Sequence, residues 1–166
     1  MRYGKMTKYD VTNGPGVRTT LFVAGCTHNC KGCFNESLQD FRSGSPWTTS
    51  CEYLMVEYSS NPNVDGVSIL GGEPLQQTMD DDLLRLLRRL KAEVGKPIWM
   101  WTGYTYEEVA DHPALEYVDV LVDGRFDINT RSYKLQWRGS SNQRVIDMNA
   151  TRTTGELQLI EVGGEE

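Results

Sequence analysis

Three of the four cysteines fall within eight residues, Cys26, Cys30 and Cys33, while Cys51 stands alone. Three thiolates on one short loop suit iron–sulfur ligation, in which four cysteines commonly hold a cluster. With three close ligands and no evident fourth, one iron would be left open, as catalytic zinc keeps a position open for substrate. An open iron can bind a small molecule and pass it an electron. The competing reading is a structural zinc site completed by His28 or Cys51. Such sites usually place a second ligand pair farther along the chain, and no second C-x₂-C or H-x₃₋₅-H occurs. His28 is crowded between Cys26 and Cys30, and Cys51 falls in a predicted helix, where a lone cysteine is most often a small buried hydrophobe. Clustered cysteines point to metal or redox chemistry in a reducing compartment before they point to disulfides.

Two other turns carry residue types that bind ligands. In Gly71-Gly72-Glu73-Pro74 the glycines let backbone approach a ligand and Glu73 supplies a charged acceptor. A plain Gly-Gly turn ended by proline is the alternative. Asp123-Gly124-Arg125 follows a buried strand at the end where α/β proteins bind ligands, and a solvated Asp-Gly turn is its alternative. Trp99, Trp101 and Tyr104 read as core and pocket wall. Trp137-Arg138 combines types enriched at interface hot spots, though a loop packed on its own domain fits equally well.

The elements that must position these residues follow from hydrophobic periodicity. Strands are expected at Thr19–Gly25, Gly66–Leu70, Pro97–Trp101 and Val118–Val122, with helices at about Thr48–Tyr58, Thr78–Val94 and Thr105–Asp111. Asp80, Asp81 and Asp82 are placed in the first turn of the long helix, where they complement its dipole. Alternating strands and helices argue for parallel βαβ units. From Ile128 onward the pattern is poor. A last strand is read at Glu156–Val162, followed by a frayed tail at Gly163–Glu166. The 166 residues are read as one domain, residues 1–166, in which 147–166 is the least supported part. A net charge of −6 argues against a nucleic-acid partner. No apolar run approaches the ~20 residues that span a bilayer, and no signal peptide is recognisable. A soluble, cytoplasmic protein with no membrane partner is the expectation.

The cysteine loop resembles the cluster motif of the radical S-adenosylmethionine superfamily. More closely, the chain is similar to the activating proteins of anaerobic (class III) ribonucleotide reductases. The resemblance runs through Asn13–Arg18, Leu21–Asn35, Gly71–Leu75, Trp99–Tyr104, Val120–Phe126 and Trp137–Gln143. Each piece is weak by itself; in this order they are specific. Gly32 stands where the superfamily often has an aromatic, and Phe34 follows instead, a shift that the activating proteins share. The resemblance implies an incomplete parallel (β/α) barrel and a [4Fe–4S] cluster on Cys26, Cys30 and Cys33. S-Adenosylmethionine would then be held by Gly32, Cys33, Phe34, Gly71, Gly72, Glu73, Asp123 and Arg125. It further implies reductive cleavage of that cofactor to a 5′-deoxyadenosyl radical, which generates a glycyl radical on the reductase. The electron would come from an external donor of flavodoxin or ferredoxin type. Activation of another glycyl-radical enzyme, or a non-catalytic zinc-binding interaction module, stands as the alternative.

Overall fold

The computed structural model describes residues 1–164. Its strands in chain order are β1 (Arg2–Asp10), β2 (Arg18–Val23), β3 (Ser45–Pro46), β4 (Gly66–Gly71), β5 (Ile98–Trp101), β6 (Val120–Asp123) and β7 (Arg144–Asp147). The helices are α1 (Thr49–Ser59), α2 (Asp82–Arg89), α3 (Tyr106–Val109) and α4 (Met148–Thr154). All strands form one sheet in the order β3-β1-β2-β4-β5-β6-β7. The four central strands, β2, β4, β5 and β6, run parallel, whereas β1 and β7 pair antiparallel with their neighbours. The mixed α/β class expected from the sequence is therefore present. The sheet is open, with β3 and β7 at its edges, and only its centre is parallel.

Side chains alternate across a strand, and this alternation divides the sheet into two unlike faces. Leu21, Val23, Val67, Ile69, Ile98, Met100, Leu121 and Ile146 share one face and pack against Met55 of α1 and Leu83, Leu86 and Leu87 of α2. On the opposite face Trp99, Val120, Val122 and Val145 form a smaller cluster, covered by Trp137, Ile160 and Val162. The first face is closed by helices; the second is only partly closed, by loops.

Several boundaries differ from the sequence reading. The long helix begins at Asp82, and Asp80 lies before it, accepting the Asp82 N–H at 3.1 Å. Beyond Arg89 the helix continues to Val94 as a wider π turn and ends at Gly95, whose φ is 71°. Glu52 on α1 is buried and receives Arg85 at 2.8 Å and Arg89 at 3.2 Å, so two arginines off the apolar stripe clamp α1 to α2. The expected strand at Glu156–Val162 is absent. The edge position is taken by β7, and the tail touches it only through the Ile146–Leu159 bridge and the Ile160 N–H to Val145 O bond at 2.8 Å. Gly163 is bonded to Gln136 rather than frayed, and 165–166 lie outside the described residues. Strand β1 went unread because Lys5 and Lys8 interrupt its apolar alternation, as charges on an outer strand commonly do.

Asp119 shows how the parallel centre is tied together. Its Oδ2 receives Lys91 Nζ at 2.5 Å and the Ile98 N–H at 2.7 Å, and its Oδ1 receives Asn149 Nδ2 at 3.0 Å. Burial opposes ionisation, but Lys91 and these hydrogen bonds outweigh it and hold the carboxyl below its usual value. A carboxyl depressed in the folded state contributes stability that is complete above its unfolded value of about 3.9 and is lost as pH falls through the folded value. Asp119→Asn should therefore cost about 1–3 kcal/mol at neutral pH and reduce the loss of stability below about pH 4. Urea unfolding at pH 7 and pH 3 measures both; equal acid sensitivity in the two proteins would contradict this role.

Candidate metal and cofactor site

The parallel strands stop at Val23, Gly71, Trp101 and Asp123. The segments that follow them line one cleft of about 430 Å³, at the sheet end where α/β folds hold ligands. The segment after β2 brings the cysteines and the segment after β4 brings Gly71-Gly72-Glu73. The segment after β5 brings Thr102 and Gly103, and the long loop after β6 brings Phe126, Tyr133 and Arg138.

The cysteine loop leaves β2 through Gly25, whose N–H donates to Leu38 O at 2.8 Å, and the Cys26 N–H donates to Gln39 O at 2.9 Å. Left-handed backbone at Asn29 (φ 54°) and Gly32 (φ 72°) then curls the loop. The Cys33 N–H thereby reaches Cys30 O at 3.2 Å. Gly32 has a steric reason too, since a Cβ there would meet Ile128 Cδ1 at 2.6 Å. All three thiols are half-buried, free and part of the cleft wall. Burial pushes the Cys26 and Cys30 thiols up, and at Cys30 the charge of Arg125 partly opposes this. Burial therefore favours the neutral thiol at Cys26 and Cys30, and a cationic centre beside them would favour the thiolate. Among the described residues no three His, Cys, Asp or Glu side chains converge to hold a single ion. A cluster takes each thiolate on a different iron, so three cysteines around one cleft fit it without such convergence. Cys51 lies apart on α1, within reach of Thr48 Oγ1 at 3.2 Å and Tyr3 Oη at 3.5 Å.

Glu73 is 1% exposed and its carboxylate is filled. Oε1 accepts the Leu75 N–H at 3.0 Å and Thr102 Oγ1 at 2.8 Å. Oε2 accepts the Gly103 N–H at 2.7 Å and lies 2.8 Å from His28 Nε2. His28 is thus engaged with Glu73, with the edge of its ring against Tyr104 at 4.5 Å, rather than aimed among the cysteines as a zinc co-ligand. The glycines before Glu73 also answer to the protein's own backbone. A Cβ at Gly71 would meet Val23 N and O at 2.6 Å, and one at Gly72 would meet Gly25 O at 2.6 Å. Asn35 adds a bond from Nδ2 to Gly71 O at 3.2 Å, tying the cysteine loop to this turn.

Of the residues read as ligand-binding, Cys33, Phe34, Gly71, Gly72 and Glu73 line the cleft, whereas Gly32, Asp123 and Arg125 do not. Strand parity explains Asp123. It is two residues from Leu121, so it belongs to the helix-covered face, opposite to Val120 and Val122. There its carboxylate receives Arg144 at 2.5 Å and the Tyr106 N–H at 2.7 Å. Arg125 is exposed. Phe34 is 58% exposed and packs on Phe126 with ring centroids 4.9 Å apart. Sequence reasoning gave no individual role to Gln76, Thr102, Gly103 and Phe126, and read Arg138 only as part of an interface or a packed loop, whereas it lines the cleft. Gln76 takes the Thr27 N–H on Oε1 at 2.8 Å and donates from Nε2 to Tyr104 Oη at 2.9 Å, so it joins three of the four segments. The available signal for Thr102 and Gly103 was their place just after a buried strand.

The fold and the site define a class: an α/β protein that carries a three-cysteine loop at the C-terminal ends of its parallel strands. The family model described as "4Fe-4S single cluster domain" matches residues 12–146. Relatives named anaerobic ribonucleoside-triphosphate reductase-activating protein occur in several bacteria. The one from Escherichia coli is 41% identical over 150 residues, covering 87% of this chain and 97% of the relative. Those from Vibrio cholerae (42% over 148 residues, 86% and 96%) and Pasteurella multocida (39% over 150 residues, 86% and 95%) are similar to the same extent. The chain belongs to the family of anaerobic ribonucleoside-triphosphate reductase-activating proteins.

Proposed function

We propose that this protein activates an anaerobic ribonucleotide reductase by binding a [4Fe–4S] cluster on Cys26, Cys30 and Cys33 and cleaving S-adenosylmethionine beside it. The observation that carries the reading is that the three cysteines and the Gly71-Gly72-Glu73 turn, far apart in sequence, line one cleft in a chain of this family. Cys26, Cys30 and Cys33 would hold the cluster, and the chemistry supplied there would be one-electron reduction of the sulfonium, releasing methionine and leaving a 5′-deoxyadenosyl radical able to take a hydrogen atom from a glycine Cα of the reductase. The chain's own residues hold and shield. Phe34 and Phe126 offer an aromatic wall for the adenine, the backbone at Gly71 and Gly72 offers carbonyls to the ammonium group, and Glu73 keeps His28, Thr102 and Gly103 in place around them. The partly covered sheet face fits the inner wall of an incomplete barrel, which the target segment of the reductase would enter. An acceptor of single electrons with no flavin motif needs an external donor, of flavodoxin or ferredoxin type. Three cysteines clustered at metal-ligand spacing suit a reducing cytoplasm.

Anaerobic reconstitution tests this reading. The protein should bind about four irons, turn brown, and release methionine and 5′-deoxyadenosine in equal amounts on reduction with S-adenosylmethionine present. With the reductase added, a glycyl radical should appear in its paramagnetic resonance spectrum. A colourless zinc protein that leaves S-adenosylmethionine intact would favour the interaction-module reading instead.

A further inference from the structure

Two loops at the strand ends carry a charge opposite in sign to that of the chain. The net charge is −6, yet segment 24–35, which holds the cysteines, has Lys31 and no acid. The loop 124–143 has Arg125, Arg131, Lys134 and Arg138 against a single acid, Asp127. Asp127 is engaged in its own turn, where it accepts the Asn129 N–H at 2.9 Å. Lys31, Arg125 and Arg131 are exposed, and none of them pairs with a carboxylate among the described residues. Elsewhere Arg42, Arg85, Arg88, Arg89 and Arg144 each hold an Asp or Glu. Glu108 is within reach of the Arg125 charge, but its carboxylate accepts the Thr105 N–H at 2.7 Å in a helix cap.

These cations share one surface because the two loops touch. Gly32 lies against Ile128, and the Phe126 N–H and the charge of Arg125 both act on Cys30. Cys30 and Phe126 belong to the cleft wall, whereas Lys31, Gly32, Arg125, Ile128 and Arg131 do not. The basic patch therefore lies outside the cleft and borders Cys30. Lys5 and Lys8 are also without carboxylates, but they lie on β1, against Phe22 and against Tyr9 and Tyr58.

We infer that the surface formed by Lys31, Arg125 and Arg131 is where the electron donor docks, and that this donor is a small acidic one-electron carrier protein. The inference rests on the reading above, in which an external carrier reduces the cluster, and adds where that carrier binds. Two protein partners must reach one centre, and a surface outside the cleft leaves the cleft open to the reductase. One electron leaves the carrier, which is oxidised, and reduces the cluster by one; no atom is transferred. Complexes of redox carriers sit at the low end of interface area, so unlike charges rather than a large apolar face must bring the partners together. For an acidic carrier the patch is attractive on a chain whose net charge repels it, which orients the encounter toward Cys30.

The test separates docking from chemistry. Iron-reconstituted protein is titrated with an acidic flavodoxin, whose flavin fluorescence reports affinity. Cluster reduction is then timed by stopped flow with reduced flavodoxin and with photoreduced deazaflavin, a small reductant that needs no docking surface. Wild type should bind flavodoxin more weakly and be reduced by it more slowly as salt rises from about 0.1 to 1 M, where the screening length falls from roughly 10 to 3 Å. Lys31→Gln combined with Arg125→Gln should lower the ratio of the flavodoxin rate to the deazaflavin rate about tenfold and flatten its salt dependence. Lys31→Arg combined with Arg125→Lys should keep the ratio. Lys8→Gln removes a like charge beside the N-terminal end of β2 and should leave the ratio unchanged. Iron content and thermal melting show that each variant is loaded and folded. Arg131→Gln, far in sequence from the cysteines, carries the same test where the first pair loses iron. An unchanged ratio in these variants overturns the docking surface while the cofactor reading stands. Weaker capture of the reductase with the donor ratio intact assigns the patch to the reductase and overturns it too. Failure of either reductant to yield methionine and 5′-deoxyadenosine from wild type overturns the cofactor reading itself.

Discussion

Cys26→Ala, Cys30→Ala and Cys33→Ala should each abolish cluster assembly and radical generation, whereas Cys51→Ala should preserve both. The three loop thiols share one cleft wall, and Cys51 lies on α1 against Thr48 and Tyr3. Removing one of three ligands leaves two thiolates for a tetranuclear cluster, and no fourth cysteine is near enough to substitute. The effect on activity is complete loss rather than a graded decline. Iron content, the visible absorption of the cluster and the reductase's glycyl-radical signal measure it. Loss of iron in Cys51→Ala alone, with the other variants intact, would move the metal site elsewhere. The folded state should barely notice the three substitutions, because each thiol is half-buried and makes few bonds. Circular dichroism of the iron-free variants therefore separates loss of ligand from loss of fold.

Glu73→Ala should be the most destabilising single change in the cleft. It orphans the Leu75 and Gly103 N–H groups and the Thr102 hydroxyl and removes the partner of His28. A buried donor left without a partner costs about 1–3 kcal/mol. Loss of several at once should exceed about 3 kcal/mol, which for a domain of this size lowers the melting temperature by roughly 6–12 °C. Glu73→Gln keeps one carbonyl oxygen and should lose less. The same change frees His28, and with it the middle of the cysteine loop, so iron retention should also fall. Thermal melting of iron-free protein followed by iron titration reads both effects. A melting temperature within a degree of wild type would mean that this network contributes nothing to the cleft. With four contacts on its carboxylate, Glu73 sets the shape of the turn.

Local signals in the sequence were enough for the parallel centre. Thr19–Gly25, Gly66–Leu70, Pro97–Trp101 and Val118–Val122 each fall on a strand of the sheet, because buried parallel strands are short apolar runs bounded by turn residues. The outer strands β1 and β7 carry charges and weak alternation, since one side of each faces solvent or a loop, and neither was read. The cysteine loop and the Gly-Gly-Glu turn were legible for a different reason. Metal ligands and close backbone approaches restrict residue type at fixed spacing, so the chemistry leaves a mark in the chain itself.

Asp123 and Arg138 show where that reading stops. Asp123 sits in a motif-like turn at the end of a strand, yet the two-residue period of β6 sends it to the helix-covered face, where Arg144 from the neighbouring strand neutralises it. Arg138 has no periodic context, and its exposure to the cleft depends on the conformation at Trp137 and on bonds from Trp101 and Gln143, distant in sequence. The sequence by itself determined the chemistry available: three thiols on one loop, a glycine-rich turn, a parallel α/β frame. The tertiary structure alone decided which charges reach the cleft and which are already spent, because facing and pairing depend on strand parity and on partners that no local window contains.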